Sequence, residues 1–262
     1  MDGRLSRVCV LGLGYVGLPA AAMLASHGFE VIGCDIDPRV VARVNEGKPH
    51  FREPDLDMLL AAAVQTGRLR AQAEPAEAEA FLIAVPTPFG PDRAPDLSHV
   101  EAATAAIAPL LRPGDLVVLE STVPVGTTER IAAQLAAARP DLAFPRYGET
   151  PPPGAVHLAH CPERVLPGAI LRELAANDRV VGGLSQACGA RARALYERFV
   201  TGDIHLTDCR TAELVKLAEN AFRDVNIAFA NELAAICDRI GVDVWRAIRL
   251  ANCHPRVAIL RP

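Results

Sequence analysis

Residues 7–37, RVCVLGLGYVGLPAAAMLASHGFEVIGCDID, decide how this 262-residue chain is read. They predict a short strand over 8–11, a glycine turn, a helix over 15–27 and a second strand over 30–34. The first strand is apolar at every position, as a strand buried on both faces of a parallel sheet must be. Gly28 stops the helix, and Pro19 is tolerated only because it lies near the first turn. In Gly12-Leu-Gly14-Tyr-Val-Gly17 the first glycine permits the tight turn and the second lets backbone approach a pyrophosphate. The third allows close packing of helix on strand. The helix N-terminus adds amide donors and the positive end of its dipole.

A bare glycine pattern of this kind also fits a turn with no cofactor. The context is what counts: Asp35 closes the second strand where a carboxylate can accept from ribose hydroxyls. Asp35 and Asp37 together would repel a 2′-phosphate, so the pattern points to NAD rather than NADP as cofactor.

Similar units follow. AFLIAVPTP (80–88) is a buried strand running into a proline-fixed loop. DLVVLESTVPVGTTERIAAQLA (115–136) is a strand ending near Glu120, a loop and a helix opening near Thr127. VHLAHCPERVLPG (156–168) is a strand and a polar loop. DRVVGG (178–183) is another strand, with a helix around 190–199 and a short strand at 203–206 behind it. Alternating strands and helices predict an α/β fold, a Rossmann-like doubly wound and mostly parallel sheet. From about Thr211 to Ile240 the pattern changes to one long helix, then a second helix runs toward Leu250. The boundary is placed near Asp208, giving a dinucleotide-binding domain over 1–208 and a helical central domain over 209–262.

Composition excludes several classes. Half of the residues are hydrophobic, the net charge is −4, and no lysine or arginine cluster marks a nucleic-acid surface. Residues 8–29 lack any charged side chain, but Gly12, Gly14, Gly17 and Pro19 interrupt them, which argues against a membrane span. Seven scattered cysteines without a C-x-x-C spacing suit a reducing, cytoplasmic location better than a disulfide framework, and they offer no metal site.

Candidate chemistry lies beyond the carboxyl ends of the strands, where open α/β sheets bind ligands. Thr87, Thr122 and Thr128 sit there, although capping and loop bonding explain a lone threonine equally well. In AELVKLAENAFRDVNIAFANELAAI (212–236), Lys216, Asn220 and Arg223 share one helix face. Asn220, Asn226 and Asn231 are poor helix formers placed mid-helix. Such a stripe is either a solvated face or a lysine–asparagine pair that donates to a developing oxyanion. Leu214, Val215, Leu217, Phe222, Val225 and Phe229 take up most of the rest of the circumference for packing. CPERVLPG places Glu163 and Arg164 in a loop pinned by two prolines, and Arg164 and Arg256 suit an acidic ligand.

In order along the chain, GLGYVGLP, IAVPTPF, LESTVPVGTTE, CPERVLPG, NDRVVGG, RTAELVKLAENAFRDVNIAFANEL and IRLANCHPRVAIL resemble the UDP-sugar 6-dehydrogenase family, most closely its branch acting on UDP-N-acetyl-D-mannosamine. The resemblance implies an NAD-dependent oxidation of a C6 hydroxyl to a uronate by two hydride transfers through a cysteine thioester. It assigns NAD contacts to Gly12, Gly14, Tyr15, Val16, Gly17, Asp35, Thr87 and Thr128. The UDP-sugar falls to Arg164, Val165, Lys216, Asn220, Arg223, His254 and Arg256. Lys216 becomes the acid/base or oxyanion group with Asn220 beside it, while Glu163 and Thr122 help position water. Cys253 lies where the family has no catalytic thiol. The family's nucleophile and UDP-gripping domain lie past the position of Pro262, so this chain is expected to bind NAD without making uronate. The apolar long helix predicts a homodimer. A UDP-glucose-type 6-dehydrogenase, a β-hydroxyacid-type dehydrogenase and a non-catalytic NAD-binding or dimerisation module are the competing readings.

Overall fold

The computed structural model describes residues 5–262. One eight-stranded sheet organises the larger part of the chain. Its strands are β1 (Arg7–Leu11), β2 (Glu30–Cys34), β3 (Leu69–Gln72), β4 (Ala80–Ile83), β5 (Leu116–Leu119), β6 (His157–His160), β7 (Arg179–Gly183) and β8 (Ile204–Asp208). They lie in the order β3-β2-β1-β4-β5-β6-β7-β8, and every neighbouring pair is parallel except β6 with β7. This is the doubly wound, mostly parallel sheet expected from the alternating pattern.

Helices join the strands: α1 (Gly17–Ser26), α2 (Pro38–Asn45), α3 (Leu56–Gln65), α4 (Ser98–Ile107), α5 (Thr127–Ala138), α6 (Ile170–Ala176) and α7 (Gln186–Tyr196). The apolar strands alternate between two layers. Val8 and Val10 pack with Leu18, Leu24 and Tyr196 on one face, and Cys9 and Leu11 pack with Ile107 and Leu135 on the other. Some boundaries moved for local reasons. The helix expected from Tyr15 begins at Gly17, because Gly14–Val16 are used by the turn. The helix expected near Ala190 begins at Gln186, because the Ser185 hydroxyl accepts from the Cys188 amide and caps it.

The chain divides into two compact units, one ending at Leu214 and the other Val215–Pro262. The long helix α8 (Cys209–Ile240) begins in the first unit and forms most of the second, with α9 (Val244–Ala251) and the tail after it. Within the second unit, two asparagines account for part of the polar content of these helices. Asn226 donates to the Ala258 carbonyl (2.8 Å) and accepts from the Leu260 amide (2.7 Å). Asn252 makes the same paired contact with Ile259. These side chains hold the tail as a neighbouring strand would. The packing expected along α8 is found only in part: Val215 and Leu217 are half-buried, while Leu214, Phe222, Val225 and Phe229 are all more than half exposed. Among the described residues no helix is long and apolar enough to cross a membrane, and the uncharged run 8–29 is divided between β1 and α1.

His160, at the end of β6, is fully buried, and neither ring nitrogen has a hydrogen-bond partner. Burial lowers its pKa to about 4, so it is neutral when folded and gains a proton near pH 6.5 when unfolded. The unfolded state therefore binds more protons between pH 6.5 and 4, and stability is lost as pH falls through that window. Asp115, raised to about 6 by burial, has the opposite slope, so the comparison must be between variants. His160→Leu is expected to lose about 2 kcal/mol less than the parent between pH 7 and pH 5 in urea unfolding. Equal losses would show that His160 is not titrating as described.

Candidate functional site

The turn between β1 and α1 is built by contacts that only glycine permits. Gly12 has φ +90°, and a Cβ there would lie 2.6 Å from the Ala84 carbonyl oxygen. A Cβ at Gly17 would lie 1.8 Å from the Gly12 carbonyl oxygen, so α1 starts directly against the turn. Gly14 differs: its Cβ would meet nothing within 4 Å, and the residue lines an open cleft.

That cleft, about 660 Å³, lies over the carboxyl ends of β1, β2, β4 and β5. Its lining includes Gly12, Gly14, Tyr15 and Val16 from the turn and Asp35 from the end of β2. Thr87 comes from the loop after β4, Glu120, Ser121 and Thr122 from the end of β5, and Glu163 from the loop after β6. The cleft straddles the switch point between β1 and β4, where the strand order reverses. Asp35 is held there by the Leu13 and Asp37 amides, each donating at 2.9 Å. Tyr15 stacks on Phe51 with ring centroids 4.3 Å apart. The lining contains three carboxylates and no lysine or arginine. The residues fit a dinucleotide without a 2′-phosphate, with glycine room and an uncapped helix end for the pyrophosphate and Asp35 for the ribose.

The other expected site residues are placed differently. Thr128 is fully buried outside the lining, and its hydroxyl and amide both donate to Glu213 Oε1 (2.6 and 2.8 Å). The Gly126 amide donates to the other Glu213 oxygen at 2.6 Å, so this carboxylate fills the N-terminus of α5. The Thr87 hydroxyl donates to the Thr122 carbonyl at 2.7 Å and ties the loops after β4 and β5 together. The Glu163 carboxylate accepts from the Val165 amide, and the Arg164 guanidinium donates to the Asp178 carbonyl. Two amides at the start of α6, those of Gly168 and Ile170, donate to the buried Glu53 carboxylate, which fastens the 161–168 loop.

Lys216, Asn220, Arg223, His254 and Arg256 belong to the second unit. Along α8, Lys216 is half-buried while Asn220 and Arg223 are exposed on the same face. Cys253 is exposed, and its thiol points back to the Arg249 carbonyl at 3.5 Å. The His254 ring accepts from the Arg256 amide, not from the thiol.

Sequence reasoning missed Glu120, Glu213 and Glu53. Only Glu120 left a signal, being a charged residue that closes an otherwise apolar strand, LVVLE. It is buried, and the Tyr196 hydroxyl donates to its Oε1 at 2.6 Å. Burial pushes its carboxyl up, against the pull of the Arg179 guanidinium and the Tyr196 bond, and Glu163 adds to the push.

Fold and cleft together define a dinucleotide-binding α/β domain followed by a helical unit. The chain belongs to the UDP-glucose/GDP-mannose dehydrogenase family: residues 6–200 match its NAD binding domain and residues 210–262 its central domain. It is 60% identical to the NDP-N-acetyl-D-galactosaminuronic acid dehydrogenase of Ralstonia nicotianae, over 100% of this chain and 62% of that protein. It is 56% identical to the UDP-N-acetyl-D-mannosamine dehydrogenase of Yersinia pestis, over 97% of this chain and 60% of that protein. Among solved structures it is similar to the UDP-D-ManNAc dehydrogenase of Pyrococcus horikoshii, with a TM-score of 0.90 and 43% identity. That alignment covers 98% of this chain and 60% of the other. The chain thus spans about three-fifths of the length of these relatives.

The third and second glycines of the motif therefore separate fold from binding. Gly17→Ala is expected to destabilise the chain by roughly 3 kcal/mol, because the added methyl has no space. Gly14→Ala should stay within about 0.5 kcal/mol of the parent in urea unfolding. Its methyl nevertheless projects where backbone must approach a phosphate, and calorimetry should show NAD+ affinity reduced about tenfold. Equal stability of the two variants would contradict this account of the turn.

Proposed function

We propose that this chain is the cofactor-binding and central part of an NAD-dependent nucleotide-sugar 6-dehydrogenase that oxidises the C6 hydroxyl of UDP-N-acetyl-D-mannosamine to the uronate. The observation that carries the reading is the cleft at the switch point, with its glycine turn and Asp35, in a chain so similar along its length to enzymes of that name. The 60% identity to a relative named for NDP-N-acetyl-D-galactosaminuronic acid favours a galacto-configured NDP-sugar as a second reading of the substrate.

NAD+, when bound, takes up the hydride. The chain's own residues prepare that event. Gly12, Gly14, Tyr15, Val16 and Gly17 leave the amides at the start of α1 open to the pyrophosphate, and Asp35 accepts from the adenosine ribose. By this order the remaining half of the dinucleotide falls over the ends of β4 and β5, beside Thr87 and Thr122. Arg164, Val165, Arg223, His254 and Arg256 are proposed to bind the UDP-sugar. Lys216 and Asn220 are proposed to donate to the alkoxide that forms as the C6 proton is lost, and Glu163 with Thr122 to position water. Thr128 is retained only as a support of the α5 end, since its hydroxyl is committed to Glu213.

Full oxidation through a thioester needs an activated, accessible thiol. Six of the seven cysteines are buried, and Cys253 contacts a backbone carbonyl in place of a base. We therefore infer NAD binding without uronate formation by this chain alone. Assays of NADH and uronate with the UDP-sugar should give neither product, and Cys253→Ser should leave NAD+ binding unchanged. Uronate that disappears in Cys253→Ser would make that thiol the nucleophile after all. Titration calorimetry should show NAD+ bound at least about tenfold more tightly than NADP+, a difference of about 1.4 kcal/mol. Comparable affinities would contradict the role given to Asp35.

The exposed apolar residues of α8 and α9, among them Phe222, Val225, Trp245 and Leu250, support a homodimer formed through the long helix. The scattered free cysteines support a reducing, cytoplasmic location. Light scattering should give twice the chain mass at micromolar concentration. A monomer under those conditions would rule the dimer out.

A further inference from the structure

The glycine turn and the 161–168 loop are joined by a short stretch of backbone between α2 and α3. Tyr15, in the turn, is exposed on the cleft wall, and its ring stacks on Phe51 with centroids 4.3 Å apart and planes 22° from parallel. An exposed tyrosine samples several side-chain rotamers unless a neighbour holds it. Here the holder is Phe51, half-buried against the core and met edge-on by the His50 ring at 4.9 Å. Two residues further on, the buried Glu53 carboxylate accepts from the Gly168 amide at 2.9 Å and the Ile170 amide at 2.7 Å. Phe51 and Glu53 therefore hold different loops from one stretch. Two residues span at most about 7 Å, so a shift at one contact reaches the other. The stretch has little slack to absorb it. On one side the Arg43 guanidinium donates twice to the Pro49 carbonyl, at 3.2 and 2.9 Å. On the other, Pro54 restricts the Glu53 backbone, and the Glu53 carbonyl accepts from the Leu56 amide at 3.3 Å.

We propose that residues 49–54 form a strut that couples cofactor binding to the order of the 161–168 loop, with Phe51 positioning Tyr15 and Glu53 positioning the loop. The inference rests on the cofactor and sugar assignments proposed above. A dinucleotide at the glycine turn covers Tyr15 and removes the freedom left to the Tyr15–Phe51 pair and to the strut behind it. The Gly168 and Ile170 amides then part from Glu53 less often, and the loop that carries Arg164 and Val165 is ordered before a sugar arrives. A ligand that meets a loop already ordered binds more tightly, so NAD+ bound first favours the UDP-sugar bound second. Neither Phe51 nor Glu53 lines the cleft, so both act through other residues.

The test is amide hydrogen exchange across residues 163–170, with and without saturating NAD+, in the parent chain, Phe51→Ala, Phe51→Tyr and Glu53→Gln. In the parent, NAD+ is expected to slow exchange of this segment about fivefold or more. Phe51→Ala should weaken NAD+ about threefold to tenfold and, once saturated, should no longer protect the loop. Phe51→Tyr keeps the ring and should restore both properties. Glu53→Gln keeps the side-chain shape and the ring stack, yet should lose the NAD+-dependent protection. A merely structural role would speed exchange by the same factor with and without NAD+, leaving the ratio intact. That result in Phe51→Ala or Glu53→Gln overturns the proposal, as does a parent that binds NAD+ with no change in the loop. Should Glu53→Gln fail to fold, the two Phe51 variants decide the matter. A parent that fails to bind NAD+ at all would instead remove the cofactor reading, and the strut with it.

Discussion

The structure depends on one steric constraint: helix α1 must begin against the turn that ends β1. The missing Cβ atoms let Gly12 pack directly against the Ala84 carbonyl and Gly17, at the start of α1, against the Gly12 carbonyl. Everything that makes the cleft a cleft follows from it. The amides at the start of α1 face the switch point, Asp35 reaches the Leu13 amide from β2, and Gly14 is left over open space. A larger residue at Gly17 would push the start of α1 away from the turn, and one at Gly12 would push the turn away from the end of β4.

A second helix end at the same edge shows how a site is closed. The N-terminus of α5 also points its amides beyond the carboxyl end of a strand, but the Glu213 carboxylate already occupies them, taking two N–H groups and the Thr128 hydroxyl. A negative side chain at a helix start satisfies the orphan amides and the dipole together. One helix end is therefore open to a phosphate and the other is filled by the protein. Glu53 plays a comparable part at α6, where it secures the loop carrying Glu163 and Arg164. Carboxylates remote in sequence thus decide which backbone donors remain for ligands.

The sheet, its strand order class and the glycine turn were legible because they rest on local pattern: apolar runs of strand length, glycines at fixed offsets, and Asp35 at the end of the next strand. What was not legible depends on distant partners. Nothing near Thr128 in the sequence shows that its hydroxyl is used by Glu213, 85 residues away. Asn226 looked like a cost to α8, and its compensation is a backbone pairing with residues 258 and 260. Glu120 was visible as an odd ending to an apolar strand, but its meaning comes from Tyr196 and Arg179, which no spacing rule connects to it. The exposed apolar side of α8 was read as packing surface, and it is left uncovered within this chain.

The central claim is that the open N-terminus of α1, and not another helix end, receives the dinucleotide. A crystal structure of this chain grown with NAD+ tests it most directly. The account predicts the pyrophosphate against the amides of the Gly12–Gly17 turn, the adenosine ribose on Asp35, and the α5 N-terminus still closed by Glu213. Density for the dinucleotide at α5 with Glu213 displaced, or anywhere away from the Gly12–Gly17 turn, would contradict it.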